Sequence, residues 1–296
     1  MEFVVITDPH LSSHSNVRVD SDYCGTIISK LNYVVECANK WDAHLLCCGD
    51  LFDKPTVPEF VKSALVKCFK QLKYTPITIR DNHGCLFNNA DNDYKTSLYL
   101  MNEVGILDYL RNDVRYLEEG GERVRIINQR LVKDEGIPTI ILYHGFLNKE
   151  DGPNTFLFED IPQNDYTVVC LGHDHVEYEP VQFANSTIYR IGALVRAIRN
   201  DSEQRIPKLL RIRLRDGKFY TKLYEIPCAE SALIFKSKKL KAEKSLDSYD
   251  DLIKQLADSG SSDMDLFDAL NLVTDSETVT YLKDVLDRLE NKHFNK

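Results

Sequence analysis

The sequence predicts an α/β fold in which mixed β-sheets are flanked by helices in layers, followed by a small C-terminal helical segment. Three observations support this prediction. Short apolar runs alternate with amphipathic stretches in the first half of the chain, strand patterns dominate the second half, and the composition changes after Pro227. Layered α/β domains arise from such alternation, because each sheet must bury its apolar faces against other elements.

Strands and helices alternate from the N-terminus onward. Residues 3–7 form a short apolar run, which is typical of a strand buried on both faces. Residues 23–41 carry apolar side chains at helical spacing, and a second helical stretch opens at Pro58, a residue suited to a first helical turn. Residues 44–49 and 75–80 supply two more strands. The order β-α-β-α-β is therefore predicted for this part of the chain.

The second half of the chain is richer in strands. Strand patterns occupy residues 124–130, 139–145, 166–173, 186–195 and 209–214. Asp216 and Gly217 predict a hairpin turn into one further strand. Arg211, Arg213 and Arg215 alternate with apolar residues, so one face of their strand is expected to be basic. These strands are expected to join the earlier ones in a mixed central sheet.

A domain boundary is predicted near residue 228, which separates a domain of residues 1–228 from a C-terminal segment of residues 229–296. The segment opens with a lysine-rich run, is mainly acidic from Asp247 onward, and ends in a predicted helix with an apolar stripe. The stripe comprises Val279, Leu282, Val285, Leu286 and Leu289. It predicts either a helix that docks a partner or a helix that packs on its own core.

The composition points to a protein of the cytoplasm. The eight cysteines form no Cys-x-x-Cys pair and several lie in apolar runs, which favours buried, reduced thiols. No run approaches the roughly 18–20 apolar residues of a membrane span, and the N-terminus lacks the pattern of a signal peptide. The net charge of −9 argues mildly against DNA as a partner, but residues 190–222 carry ten basic and three acidic residues.

Potential metal ligands follow the predicted strands. They are Asp8, His10, Asp50, Asn82, His83, His144, His173 and His175. Ligands bind beyond the C-terminal ends of strands in α/β sheets, so these side chains are expected to converge on one edge. One such histidine alone would more often be a turn residue, but coincidence would have to act on all the motifs together. Carboxylates, a carboxamide and several imidazoles suit a pair of divalent ions such as Mn²⁺, Fe²⁺ or Zn²⁺.

The ordered motifs Asp-x-His, Gly-Asp-Leu-Phe-Asp, Asn-His, a later His and Gly-His-x-His resemble those of the calcineurin-like metallophosphoesterase superfamily. The stretch that begins at Arg18 and the basic stretch after the last histidine are similar to regions of SbcD-type DNA repair and recombination nucleases, particularly phage-encoded ones. The resemblance implies the layered metallophosphoesterase fold and two metal ions, preferably Mn²⁺, bridged by Asp50.

The resemblance also implies a role for each remaining ligand. Asp8, His10 and His175 would complete the site of one ion. Asn82, His144 and His173 would complete the site of the other. His83 would be the catalytic acid that orients the phosphate and protonates the leaving oxygen.

The implied function is that of a two-metal DNA phosphodiesterase, an exonuclease or endonuclease subunit in which a metal-bound hydroxide attacks phosphorus in line. The implied partners are DNA and an SbcC-like, SMC-type ATPase, and some members of the family form homodimers. A phage-encoded member would act in the cytoplasm of its host. Two alternatives remain open: a metal-dependent phosphatase or small cyclic-nucleotide phosphodiesterase, and a non-catalytic scaffold subunit. The retained ligand types favour an enzyme.

Two features depart from the family pattern. The usual Gly-Asn-His-Asp/Glu turn reads Asp81-Asn82-His83-Gly84 here. If residue 81 needs a positive φ, an aspartate is among the better substitutes for glycine and Asp81 would serve the backbone alone. Alternatively, Asp81 supplies the carboxylate that usually follows the histidine. The C-terminal segment is also short for the family's capping domain, so a reduced cap or a partner-docking segment is expected.

Overall fold

The computed structural model describes residues 1–15, 18–83, 86, 90–111, 113–128, 133, 135–148, 152, 154–162, 166–196 and 205–229. The chain divides into two compact units, Met1–Phe235 and Lys236–Lys296. The predicted C-terminal segment, with its lysine-rich run and its apolar helix, lies outside the described residues from residue 230 onward. The boundary near residue 228 therefore stays a prediction.

The described part of the chain contains three α-helices and fourteen strands. The helices are α1 (Tyr23–Trp41), α2 (Glu59–Phe69) and α3 (Ser97–Glu103). The strands are β1 (Glu2–Ile6), β2 (Ala43–Cys47), β3 (Ile77–Ile79), β4 (Asp108–Leu110), β5 (Val114–Glu119), β6 (Glu122–Ile127), β7 (Thr139–His144), β8 (Phe146–Asn148), β9 (Thr155–Leu157), β10 (Thr167–Gly172), β11 (Tyr178–Phe183), β12 (Ser186–Arg190), β13 (Lys208–Arg215) and β14 (Lys218–Glu225). Short 3-10 helices occupy Ala90–Lys95 and Phe158–Asp160.

The strands form two six-stranded mixed sheets. The first sheet has the order β14-β13-β1-β2-β3-β4, and the second has the order β11-β12-β10-β7-β6-β5. Strands β1 to β4 run parallel, as do β6, β7, β10 and β12. Antiparallel strands complete the first sheet at one edge and the second sheet at both edges. Strands β8 and β9 form a separate parallel pair.

Apolar side chains on three surfaces hold the layers together. The inner faces of the two sheets pack on each other in one buried cluster, which includes Phe3 and Val5 of β1, Ile140 of β7 and Val168 of β10. The outer face of the first sheet packs on the helices, and Leu31 of α1 is fully buried there. The outer face of the second sheet forms a third cluster around Phe156 and other apolar residues. Central strands such as β1 and β10 are therefore buried on both faces, as expected for parallel strands inside a layered fold.

Local signals set the ends of α1. Asp22 caps its N-terminus, since the side chain accepts a hydrogen bond of 2.8 Å from the backbone N–H of Gly25. Asp42 ends the helix in the left-handed conformation, with a φ of 54°.

The Asp216–Gly217 turn predicted between β13 and β14 is confirmed, and both residues have positive φ values, as a two-residue hairpin turn requires.

The predicted fold class, a layered α/β fold with mixed sheets and flanking helices, is confirmed. The prediction of one central sheet is wrong, because the strands from β5 to β12 form a second sheet that packs on the first. The described cysteines form no disulfide, in agreement with the prediction of free thiols. Within the described ranges, no helix is long and apolar enough to cross a membrane.

Candidate metal centre

The predicted site residues lie where strands of both sheets end. Asp8 and His10 follow β1, Asp50 follows β2, and Asn82 and His83 follow β3 in the first sheet. His144 ends β7, while His173 and His175 follow β10 in the second sheet. Because the two sheets pack face to face, the C-terminal ends of their parallel strands meet at one common edge. The structure brings all eight predicted residues to this edge.

One group of potential ligand atoms comes from Asp8, His10, Asp50 and His175. One nitrogen or carboxylate oxygen from each residue lies within 4.8 Å of those of the other three. The Nε2 atoms of His10 and His175 are 2.9 Å apart, and Nε2 of His10 lies 3.4 Å from Oδ2 of Asp50. Three members of this group are buried and His175 is partly buried.

A second group comes from Asp50, His144 and His173, with Asn82 among them. Nε2 of His144 lies 3.3 Å from Oδ2 of Asp50 and 2.8 Å from Oδ1 of Asn82. Nδ1 of His173 lies 3.2 Å from the same amide oxygen. Oδ2 of Asp50 thus approaches a histidine of each group, so one carboxylate oxygen stands between the two sets.

The chemistry of both groups fits divalent cations. Two atoms bonded at about 2.0–2.2 Å to one ion lie roughly 2.8–3.6 Å apart in tetrahedral or octahedral geometry. The spacings of 2.8–3.4 Å at this edge match that range. Oδ2 of Asp8 is also buried and finds no hydrogen-bonding partner among the described residues. Buried carboxylate oxygens are normally satisfied by hydrogen bonds or by metals. These His and Asp clusters are therefore able to bind metal.

Backbone carbonyls orient two of the histidines. Nδ1 of His144 lies 2.8 Å from the carbonyl oxygen of Cys48, and Nδ1 of His83 lies 2.8 Å from that of Asp53. A carbonyl oxygen can only accept, so Nδ1 carries a proton and donates it in both rings. Nε2 of each ring is left for the site. This arrangement is typical of histidines that bind metals or exchange protons.

The charges around Asp50 and His144 shift the pKa values of both residues. Burial lowers the pKa of His144, but the hydrogen bond to Asp50 and the negative charges of Asp8, Asp50 and Asp81 outweigh it and raise the pKa to about 9. Burial raises the pKa of Asp50, but His144 and His10 outweigh it and hold the pKa well below its usual range. Positive charge is therefore favoured between these side chains, at the position a metal ion would take.

Four predicted site residues adopt a strained backbone conformation. Asp8, His10, Asp50 and His173 have φ values of 48°, 45°, 47° and 83°. Non-glycine residues at positive φ cost of order 1–3 kcal/mol each, and such residues concentrate at functional sites. The strain turns each side chain away from its strand direction and into the common edge.

Gly49 and Gly172 allow the two sheets to approach closely at this edge. A Cβ atom on Gly49, which has a φ of 89°, would lie 2.5 Å from Nδ1 of His144. A Cβ atom on Gly172 would lie 2.2 Å from the carbonyl oxygen of Cys48. Any larger residue at either position would displace His144 or the carbonyl that orients it.

The structure decides between the two interpretations of Asp81. The described non-glycine residues with positive φ do not include Asp81, so the interpretation based on backbone conformation alone is wrong. Instead, Oδ2 of the buried Asp81 accepts a hydrogen bond of 2.8 Å from the backbone N–H of Asp50. The carboxylate thus supports the residue shared by both ligand groups, which agrees with the alternative interpretation. Gly84 lies outside the described residues.

Two residues near the site carried no functional assignment from the sequence. Asp53 places Oδ1 3.2 Å from Nδ1 of His10 and offers its carbonyl to His83, so it contacts two site histidines. Its place in the Gly-Asp-Leu-Phe-Asp motif is the signal that could have identified it. Phe146 is 46% exposed and its ring centroid lies 4.5 Å from that of His173. An exposed aromatic ring beside a potential ligand suits contact with an aromatic part of a substrate.

The likenesses to known proteins are found among solved structures. No family model and no curated protein matches the sequence. Among solved structures, the chain is similar to an archaeal phosphodiesterase, with 14% identity and a TM-score of 0.38 over 76% of this chain and 100% of that one. It is also similar to Zn²⁺-bound Vps29 from Entamoeba histolytica, with 12% identity and a TM-score of 0.37 over 76% and 99% of the two chains.

A third similar structure is Vps29 from Cryptosporidium parvum, with 13% identity and a TM-score of 0.32 over 77% of this chain and 98% of that one. The capacity of this edge to bind metal is inferred from the ligand atoms, the buried carboxylate oxygen and the strained turns of the chain itself.

Proposed function

We propose that the protein is a two-metal phosphodiesterase of the calcineurin-like metallophosphoesterase type, and that its substrate is DNA. The observation that carries the proposal is the sharing of Asp50 Oδ2 between two groups of nitrogen and oxygen ligands. Pairs of sites joined by one carboxylate suit the hydrolysis of phosphate esters, because two bound cations supply Lewis-acid charge for the phosphate and lower the pKa of water.

The ligands are proposed as the sequence resemblance implies. Asp50 belongs to both sites. Asp8, His10 and His175 complete one site, and Asn82, His144 and His173 complete the other. Mn²⁺ is the proposed ion because the ligands are imidazoles, carboxylates and one amide oxygen, a set that also accepts Fe²⁺ and Zn²⁺.

His83 is the proposed catalytic acid. Its Nδ1 is held by the Asp53 carbonyl, and its Nε2 lies 4.0 Å from Oδ2 of Asp50. The residue stands outside the two groups that share Asp50 and forms a third possible group with His10 and Asp53. The side chain is 41% exposed, so a proton at Nε2 can exchange with solvent and reach the leaving oxygen of a bound ester. General acids of this kind contribute roughly 10²–10⁴-fold to rate.

DNA as the substrate and an SbcC-like ATPase as the partner are supported by the sequence resemblance. The basic residues between Arg190 and Lys222 add positive charge that suits a polyanion. The apolar helix proposed to dock the ATPase belongs to the segment beyond residue 229. Co-purification of the full chain with an SMC-type ATPase, compared with a chain that ends at residue 261, measures that docking.

The deciding experiment compares three substrates with the same enzyme. The purified protein with Mn²⁺ is given linear DNA, an aryl phosphodiester and an aryl phosphomonoester, each with and without EDTA. We expect hydrolysis of both diesters and its loss in EDTA. Preference for the monoester over both diesters would contradict the nuclease proposal in favour of a phosphatase, and inactivity on all three despite bound metal would favour a scaffold.

Two variants and a control separate metal binding from proton transfer. Asp50→Ala is expected to lose binding at both sites, which calorimetry with Mn²⁺ measures directly. His83→Ala is expected to keep metal affinity near the wild-type value while turnover falls roughly 10²–10⁴-fold. His14→Ala is the matched control, since His14 is an exposed histidine outside the ligand groups. Loss of a metal in His83→Ala would contradict the role given to His83.

A further inference from the structure

Strands β13 and β14, which lie at one edge of the first sheet among the described residues, carry a groove lined by cations and tyrosines. Strands β13 and β14 form this groove of about 200 Å³, here called the β13–β14 groove. Its lining consists of Arg211, Arg213, Tyr220, Thr221, Lys222 and Tyr224. Every charged residue of the lining is a cation, although the chain as a whole has a net charge of −9.

The groove is separate from the candidate metal centre. Arg211 is paired with Val4 and Arg213 with Glu2 in the antiparallel register of β1 and β13. Asp8 lies four residues beyond Val4, toward the metal centre. At about 3.3 Å per residue, the two arginines lie roughly 13 and 20 Å from Asp8 along the strand direction. The cations of the groove therefore do not contact an ester bound at the metal centre.

Strand pairing does not account for these charges. Arg211 and Lys222 stand directly opposite each other in the β13–β14 register, so their side chains share one face. Like charges at directly opposite positions destabilise a sheet. The single carboxylate of Glu2 binds both Arg211 and Arg213, and its oxygen is 2.8 Å from Nε of Arg211. Among the described residues, one acid against three cations leaves positive charge at the groove, which an anionic partner would neutralise.

Aromatic rings are fixed among the same cations. Tyr220 is 57% exposed and is paired with Arg213 across the strands. The ring centroids of Tyr224 and Trp41 are 4.8 Å apart, and Arg211 lies 4.5 Å from the Trp41 centroid. Nζ of Lys222 lies 5.1 Å from the Tyr224 ring. Cations against aromatic faces stabilise each other and hold the rings in place.

We propose that the β13–β14 groove binds single-stranded nucleic acid. Arg213 and Lys222 contact phosphates, and a base stacks on the exposed ring of Tyr220. Cations that follow a backbone, combined with aromatic faces for successive bases, are the features by which proteins bind single strands without sequence preference. The inference deepens the proposed function, since it names a nucleic acid as the ligand, but binding at this groove needs no metal ion.

The test measures binding in the absence of hydrolysis. Fluorescence anisotropy of a labelled oligothymidylate is recorded with the full chain in EDTA over a range of salt concentrations. For Arg213→Gln/Lys222→Gln, we expect the slope of log K against log salt to shrink by about 0.7 per lost phosphate contact, or roughly 1.4. Arg123→Gln/Lys67→Gln is the matched control, because it removes the same charge from exposed residues of β6 and α2. It is expected to leave the slope unchanged.

The stacking part of the proposal has its own pair of variants. Tyr220→Ala is expected to weaken binding about 5- to 150-fold, the loss that follows from removing one base–aromatic stack. Tyr220→Phe keeps the ring and is expected to bind like the wild type. Thermal unfolding of each variant confirms that it folds.

Several results would overturn the inference. Equal losses in the groove variant and the matched control would mean that net charge alone attracts the oligonucleotide. If every groove variant bound the oligonucleotide like the wild type, the cations would serve only to keep the edge strand from pairing with other chains. Displacement by polyglutamate together with unchanged binding by Tyr220→Ala would assign the groove to an acidic protein. Hydrolysis of the aryl phosphodiester with Mn²⁺, measured separately, tests the proposed function, so the two can fail independently.

Discussion

Replacement of Asp81 tests how the chain supports the shared carboxylate. Oδ2 of Asp81 accepts a 2.8 Å hydrogen bond from the backbone N–H of Asp50, and Asp81 is only 6% exposed. Asp50 itself has a strained φ of 47°. The bond therefore holds a backbone conformation that is unfavourable on its own, at the residue that both ligand groups share.

The size of the effect follows from the type of bond and its burial. Hydrogen bonds to charged groups contribute about 1.5–3 kcal/mol, and truncation leaves the N–H of Asp50 without this acceptor. Asp81→Ala should therefore lower the free energy of unfolding by about 1.5–3 kcal/mol. At about 2–4 °C per kcal/mol for a domain of this size, the midpoint of thermal unfolding should fall by roughly 3–12 °C. Loss of a group that orients a metal ligand typically weakens metal affinity by about 10–100-fold.

Asp81→Asn provides the matched comparison. An asparagine keeps an oxygen at the acceptor position and removes the charge, so the hydrogen bond becomes a neutral one worth about 0.5–1.5 kcal/mol. The variant should lose only about 1 kcal/mol of stability and keep most of its Mn²⁺ affinity. Differential scanning calorimetry of the metal-free protein and titration with Mn²⁺ measure the two quantities. Wild-type stability and Mn²⁺ affinity in Asp81→Ala would refute the reasoning.

Three further predictions follow from the site. In metal-free protein, His173→Gly should be more stable than His173→Ala by about 0.5–1 kcal/mol, because glycine accepts a φ of 83° without strain. The reverse order of the two variants in thermal unfolding would contradict a strained turn. Mn²⁺ binding at about pH 7.5 should release about one proton from His144, whose pKa is raised to about 9. Well above pH 9 the proton release should vanish and the affinity for Mn²⁺ should be higher. Calorimetry in buffers of different ionisation enthalpy measures the number of protons released, and no release at pH 7.5 would contradict the raised pKa. Phe146→Ala should raise KM for an aryl phosphodiester about 3- to 10-fold, which corresponds to the loss of one aromatic contact. Phe146→Tyr should leave that KM unchanged, and Phe146→Ala should leave the KM for a dialkyl phosphodiester unchanged. Equal effects of Phe146→Ala on both esters would exclude stacking.

Much of the fold was predictable because its local signals are strong. The apolar runs that became β1, β2, β7 and β10 and the stripe of α1 are confirmed. Strands β4, β5, β8, β9 and β11 were not predicted. Strands β4, β8 and β9 have three residues each, which is too short to show a period, and β5 and β11 are not buried and carry no apolar run. The assignment of the later strands to a second sheet was also not predicted, because they were expected to join the earlier strands in one central sheet. Strands buried on both faces look alike in either sheet, and strand pairing depends on partners distant in sequence, such as Thr167 with Thr139.

The site was predictable at the level of residue type and strand position. The sequence places acids and histidines beyond strand ends, and the packing of the two sheets brings these ends together. The contacts that orient the ligands were less accessible. The carbonyls of Cys48 and Asp53, which fix the rings of His144 and His83, belong to backbone groups that every residue carries. The role of Asp81 depended on which N–H it faces, and sequence motifs alone left two answers open.

The strained turns show what holds the candidate site in place. Four site residues at positive φ together cost roughly 4–12 kcal/mol, which is comparable to the net stability of a whole domain. Hydrogen bonds between neighbouring segments offset that cost. The backbone N–H of His10 donates to the carbonyl of Asp50 at 2.8 Å, and that of His173 donates to Oδ1 of Asp8 at 2.9 Å.

The second of these bonds joins the two sheets, so the ligand turns are held by the same interface that buries the core. Strain of this kind persists only where its surroundings determine the conformation more strongly than local preference does. A turn that served the fold alone would have no reason to keep an aspartate or a histidine where glycine is favoured. The side chains at these four positions are therefore explained by the two ligand groups that they help to form at the common edge.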